Sequence, residues 1–257
     1  MHALLIAFSA LVGLIIGSFL NVVAYRVPLG KSVISPGSAC PACDAPIRAS
    51  DNIPVISWLR LRGKCRDCGS SVSRRYAVVE GASGLLFGLI AWWVGPTALL
   101  PGYLFFAGTT IALILTDLDH KRLPDRIVFT GTGLTVALFI GGSVLESQTD
   151  QLPVAFLGGL VYLVLFFVLF MVTPGGFGFG DVKLAFLLGF VMAYSGWPEL
   201  VVGIFLAFLL GGLAGTAIML FTKRGRKAKM PFGPAMMGAA WLAALWGDSI
   251  ASWYLGL

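Results

Sequence analysis

All four cysteines of the chain fall in one stretch, as Cys40, Cys43, Cys65 and Cys68, in the pattern CxxC, twenty-one intervening residues, CxxC. Each CxxC knuckle bends back to place two thiolates at about 2.3 Å from one ion, and four thiolates complete the closed tetrahedral shell of structural zinc. Neighbouring Lys64 and Arg66 offset the cluster's negative charge. Two disulfides are the competing reading, disfavoured in a reducing cytosol; a redox dithiol needs only one CxxC. Four protein ligands leave no position for a water, so the expected zinc is structural and orders a loop with few aliphatic residues.

The second set of reactive groups is acidic. Asp117 ends an apolar run in the string TDLDHKRLPD, and Asp181 follows a glycine-rich string in TPGGFGFGDVKLAF. Carboxylates beside membrane segments are costly, which makes each a candidate for function. Asp117 also reads as a solvated helix end paired with Lys121, and Asp181 as a helix N-terminal cap with Lys183 reaching the headgroups. Asp125, after Pro124, suits a helix start. Pro174 and the glycines at 175, 176, 178 and 180 imply irregular backbone at membrane depth, which is tolerated where it lines a cavity or is buried in protein. Two carboxylates at about 3 Å cannot both ionise, and such a pair activates water for attack on a peptide carbonyl while protonating its oxygen. Other hydrolytic kits are missing: His2 and His120 are the only histidines, and no serine stands in a nucleophile elbow.

The elements that must hold these groups are membrane helices. Of 257 residues 58% are hydrophobic and 12% charged, with a mean hydropathy of +0.90, which a soluble domain could not keep from water. A spanning helix needs about 20 apolar residues. Eight runs qualify, near residues 3–25, 77–95, 99–116, 126–144, 152–173, 182–195, 198–221 and 232–254, the sixth being short. The first has no basic segment before it and reads as an anchor rather than a cleaved signal.

Orientation follows from Lys and Arg. Residues 26–76 hold nine of the eighteen; Lys121, Arg122 and Arg126, then Lys223, Arg224, Arg226, Lys227 and Lys229, fill two further loops, and Lys183 begins the sixth run. The alternate loops near 95, 146 and 195 have none. The positive-inside rule puts the basic loops in the cytoplasm and both termini outside it. The expected architecture is an all-α polytopic membrane protein of about eight transmembrane helices. Residues 1–25 form the first helix, 26–76 a cytoplasmic zinc-binding loop, and 77–257 a seven-helix membrane core. The basic loops favour membrane lipids as neighbours and, split as they are, not nucleic acid.

These motifs together resemble the type IV prepilin peptidases, bacterial leader peptidases that are commonly also N-methyltransferases. The matching segments run nearly the full length: GSFLNVVAYRVP at 17, CPACDAPIRASDNIPVISWLRLRGKCRDC at 40, SRRYAVVEG at 73, TDLDHKRLPD at 116, GFGFGDVK at 176 and MPFGPAMMGAA at 230. The glycine-Asp string is the GxGD signature shared with other intramembrane aspartyl proteases. The resemblance implies a bacterial inner-membrane enzyme that removes the basic leader of prepilins or pseudopilins at the cytoplasmic face. It also implies methylation of the new N-terminal residue, with S-adenosylmethionine as methyl donor. Carried over by motif, Asp117 and Asp181 are the catalytic pair; Asp119 and Asp125 match the motif but lie outside the pair. Leu123 stands where many relatives have Ile. No glycine-rich strand-turn-helix for the methyl donor is present, and residues for that activity are expected in the loop and near Glu80. The alternatives are an ion-coupled transporter, which would set its charges nearer mid-membrane, and a non-enzymatic pilus or secretion assembly factor.

Overall fold

Glycines and apolar side chains at helical spacing decide how the chain packs. The computed structural model describes residues 1–173, 176–221 and 231–256. Its helices are α1 His2–Arg26, the short α2 Ile56–Arg60, α3 Arg74–Val94, α4 Leu100–His120, α5 Asp125–Leu145, α6 Gln151–Val172, α7 Phe179–Ser195, α8 Trp197–Phe221 and α9 Gly233–Leu255. The eight long helices coincide with the eight apolar runs. Among the described residues there are no strands, only the isolated bridges Ala39–Pro46 and Lys64–Ser71. Six helices, α1, α3, α4, α5, α6 and α8, are long and apolar enough to cross a membrane. Helix α7 has only 17 residues. Helix α9 is long enough, but Asp248, two serines, its glycines and its tryptophans lower its hydropathy.

The chain divides into two compact units, Met1–Leu115 and Thr116–Leu257, the boundary falling inside α4. In the first, α1 packs along α3 through Gly13 and Gly17, a small-xxx-small pair that lets backbones approach. A Cβ on Gly17 would come within 2.9 Å of Glu80 Cα. The opposite side of α1 exposes Leu4, Phe8, Leu11 and Ile15, spaced by one turn, as a lipid-facing stripe requires. Ser73 caps α3 by accepting the Arg75 backbone N–H.

In the second unit α7 is the central element. Nearly all its residues from Asp181 to Tyr194 are buried, with α5, α6, α8 and α9 packed around it. A helix enclosed by protein does not have to match the bilayer by itself, which accounts for its shortness. Gly189 lets α7 meet α6 backbone to backbone, since a Cβ there would stand 2.7 Å from the Gly158 carbonyl oxygen. The Phe139 ring meets Tyr194 edge to face at 4.8 Å, and Tyr194 shares a 2.8 Å hydrogen bond with Ser143.

Candidate active site and candidate metal centre

The four cysteine sulfurs converge. All lie within 4.8 Å of one another, Cys40 Sγ and Cys68 Sγ are 3.8 Å apart, and all four cysteines are free of disulfides. Four ligands at about 2.3 Å around a tetrahedral ion stand roughly 3.8 Å from one another, so the donor set fits a metal. Ser70 Oγ lies 3.1 Å from Cys68 Sγ and 3.5 Å from Cys40 Sγ. That hydroxyl lowers both thiols, Cys40 to about 6, which favours the thiolates a metal needs.

The two knuckles repeat one backbone pattern at a fixed offset. Cys40 N–H donates to the Ala45 carbonyl and Cys65 N–H to the Ser70 carbonyl; Asp44 N–H returns to Cys40 and Gly69 N–H to Cys65. The residue after each second cysteine, Asp44 or Gly69, takes a positive φ, 55° or 70°. The repeat is invisible in residue identity, because Asp and Gly both tolerate the left-handed region.

Arg66 does not serve the thiolates as the spacing suggested. It grips Asp51, with Nε 2.6 Å from Oδ2, and Arg60 reaches the same carboxylate at 2.8 Å. The Arg66 hydrogen bond, with Arg60 behind it, holds the Asp51 carboxyl down at about 2. Asp67, the other residue inside the second knuckle, pairs with Arg48 near the first. The loop is then moored to α3: the Val55 N–H donates to Glu80 Oε2 at 2.7 Å. Val55 has φ of 61°, a conformation a β-branched residue adopts only when its surroundings impose it, and Glu80 is itself buried.

In the second unit Asp117 lies within the last turn of α4. It is buried, and among the described residues the one polar group the structure brings against its carboxyl is the Gly233 backbone. Lys121 meets it only through the backbone, its N–H donating to the Asp117 carbonyl, so the solvated ion pair is not formed. The Oδ2 atom lies against Gly233, where a Cβ would come within 2.6 Å. Asp181 is also buried, in the first turn of α7, and its Oδ2 accepts the Gly178 N–H at 2.9 Å. The capping reading of Asp181 therefore holds alongside any chemical one. Gly180 has joined the helix, whereas Gly176 and Gly178 remain outside it.

Lys183 does not reach away from the protein. It pairs with Asp125 at 2.7 Å and lies over the rings of Phe129 and Phe179, so Asp125 is an ion-pair partner as well as the first residue of α5. Leu123 joins the two acidic segments, since it is the near neighbour of both Gly180 and Gly233. The carboxylate of Asp181 is near enough to interact electrostatically with Asp117. Two carboxyls in one buried neighbourhood, each against a glycine, Gly178 outside a helix and Gly233 at the start of α9, could share a proton and act together on a bound water. Sequence reasoning assigned no role to Gly233 or to the Asp125–Lys183 pair; only spatial proximity reveals them. Pro174, Gly175, Met230 and the basic residues Lys223, Arg224, Arg226, Lys227 and Lys229 lie outside the described residues.

Comparison with known proteins places this arrangement in context. Residues 11–94 match the family model described as the bacterial peptidase A24 N-terminal domain, and residues 104–216 that of the type IV leader peptidase family. The prepilin leader peptidase/N-methyltransferase of Stutzerimonas stutzeri is 37% identical, over 96% of this chain and 92% of that protein. The protein of the same name from Pseudomonas aeruginosa is 36% identical over 96% and 92%, and that from Bacillus subtilis 32% over 95% of each. No solved structure matches the chain significantly.

Proposed function

The chain belongs to the type IV leader peptidase family, and from that premise we propose that it is an aspartyl endopeptidase which removes the basic leader of type IV prepilins or pseudopilins at the cytoplasmic membrane face. It then methylates the new N-terminal residue. The observation that carries this reading is the burial of Asp117 and Asp181 about Leu123, each against a glycine backbone.

In the proposed mechanism Asp117 and Asp181 hold one proton between them. The ionised carboxyl takes a proton from water as its oxygen attacks the scissile carbonyl; the protonated one donates to the carbonyl oxygen. Collapse of the tetrahedral adduct delivers a proton to the leaving amine. Gly178 N–H fixes the orientation of Asp181, and the missing side chain at Gly233 leaves room beside Asp117. The excess of Lys and Arg in alternate loops supports a cytoplasmic setting for the cysteine loop and the acidic pair, in a bacterial inner membrane.

Zinc is the metal proposed for Cys40, Cys43, Cys65 and Cys68, where it cross-links the two knuckles. S-adenosylmethionine supplies an electrophilic methyl group. In the first unit a cleft of about 290 Å³ lies between α1 and residues 33–38, with Ser18, Arg26, Asn52 and Phe19 in its walls. Among the described residues the Arg26 guanidinium there donates to the carbonyls of Ser32, Pro36 and Gly37. Its charge therefore has no carboxylate among the described residues, and the carboxylate end of a methyl donor suits it.

The test is to mix purified protein in detergent with a prepilin. The expected result is a mass loss equal to the leader, and a further gain of one methyl group when S-adenosylmethionine is added. Intact prepilin after prolonged incubation would refute the peptidase reading.

A further inference from the structure

The two segments that touch the acidic pair carry the same dipeptide. Gly178, whose N–H holds Asp181, follows Phe177; Gly233, against which Asp117 lies, follows Phe232. The two rings meet edge to face, with centroids 5.1 Å apart and planes at 88°. Two further rings close the group: Phe166 from α6, fully buried, and Phe208 from α8. Every pair among the four lies within 6.3 Å. Helix α8 makes room with Gly211, one turn beyond Phe208, where any Cβ would overlap the Phe232 ring.

We propose that this four-ring cluster is a clamp that sets the spacing of Asp117 and Asp181, with Phe177 and Phe232 as positioning residues for proteolysis. The proposal rests on the aspartyl reading above. Its physical basis is lever-like: neither carboxylate is held by a side-chain partner among the described residues, so each takes its place from its own helix and from the glycine it touches. Those glycines are fixed by the ring that precedes each of them. Edge-to-face rings resist sliding because the positive edge of one seeks the negative face of the other. General acid–base catalysis requires both carboxyls within hydrogen-bond reach of one water. Loosening either ring therefore degrades the transition state more than it degrades peptide binding.

The experiment measures kcat and KM for prepilin cleavage by the full-length enzyme in detergent, for Phe177→Leu, Phe232→Leu and the double variant. Leucine keeps the site apolar and removes the ring. Each single variant is expected to lose about tenfold in kcat, with KM within about twofold of wild type, the scale of a misplaced general acid–base pair. The double variant is expected to lose clearly less than the product of the two single losses, because the single variants share the Phe177–Phe232 contact and act on one cluster. Phe232→Tyr, which retains the ring, is expected to recover most of the rate. Gly211→Ala, which crowds Phe232 from α8, is expected to reproduce the kcat loss. Phe156→Leu removes a ring from a separate aromatic group around Phe186 and Phe190 and is expected to leave kcat near wild type.

Losses in the two single variants that multiply in the double one would overturn the clamp, as would an effect confined to KM or equal kcat losses in Phe156→Leu. In each of those cases wild-type protein still cuts, and the aspartyl reading stands. Wild-type protein that does not cut would remove both.

Discussion

Leu123 lies so close to Gly180 that a Cβ on the glycine would stand 3.1 Å from the Leu123 Cβ, and its far methyl faces the corresponding position on Gly233 at 3.5 Å. One side chain thus wedges between the segment leading into Asp181 and the segment behind Asp117. Leu123→Ala should lower cleavage more than it lowers the melting temperature, and Leu123→Ile should retain most activity, because it keeps the volume. Parallel measurement of cleavage rate and thermal unfolding decides this; equal losses in both for Leu123→Ala would reduce the wedge to ordinary packing.

Asp117→Asn and Asp181→Asn should each reduce cleavage by at least about a hundredfold, the scale of a lost general acid or base. The near-isosteric amide should leave the protein folded and in the membrane. Asp119→Asn and Asp125→Asn should do less. The Asp125–Lys183 pair has an exposed carboxylate, and such pairs contribute about 0–1 kcal/mol. Cleavage assays on membranes with matched protein levels are the measurement; a wild-type rate in either of the first two variants would sink the assignment.

Purified protein should contain one zinc per chain, and Cys40→Ser or Cys65→Ser should lower metal content together with the loop's resistance to protease. Metal analysis of freshly prepared, reduced protein that found no ion would end this claim. The pH dependence separates two contributions. Asp51 is held at about 2 by Arg66 and Arg60, below its ordinary 3.8. Its contribution to folding is complete above the ordinary value and is lost only as pH falls through about 2. Protons compete with a metal for the thiolates at a higher pH than that, because a thiol is a weaker acid than the Arg-paired carboxyl. Acid should therefore strip metal while the Asp51 cluster is intact, and Asp51→Asn should loosen the loop by the same amount at pH 6 and pH 8.

A membrane-impermeant thiol label applied from outside the cell should miss a cysteine introduced at Arg60 and reach one introduced at Gln148, in a background without the native cysteines. Arg60 lies in the basic loop, and Gln148 follows α5 in a loop without Lys or Arg. The reverse pattern would invert the topology and take the acidic pair away from a leader that stays in the cytoplasm.

Much of this architecture was legible in the residue order, because membrane helices declare themselves by length and hydropathy. All eight apolar runs became helices with ends shifted by only a few residues. The cysteine spacing likewise announced the convergence of four sulfurs. Contacts made by groups of no chemical distinction stayed hidden. Gly233 is one glycine among thirty-three, and its importance lies in facing Asp117. Arg66 read as a counter-ion to the thiolates, yet its partner is Asp51, fifteen residues away in a loop with no periodicity to predict it. Lys183 read as a headgroup anchor because one helix considered alone cannot show that Asp125 waits on the next.

The bond from the Val55 amide to Glu80 makes the cysteine loop and α3 parts of one energetic system. Binding that orders the loop presents an amide to a carboxylate already withdrawn from water, and the free energy shared between the two events runs equally in both directions. A metal ion held by the four cysteines would thereby tighten a helix long and apolar enough to cross a membrane. By the same reciprocity, strain applied to α3 through Glu80 would be felt at the loop as a change in metal affinity.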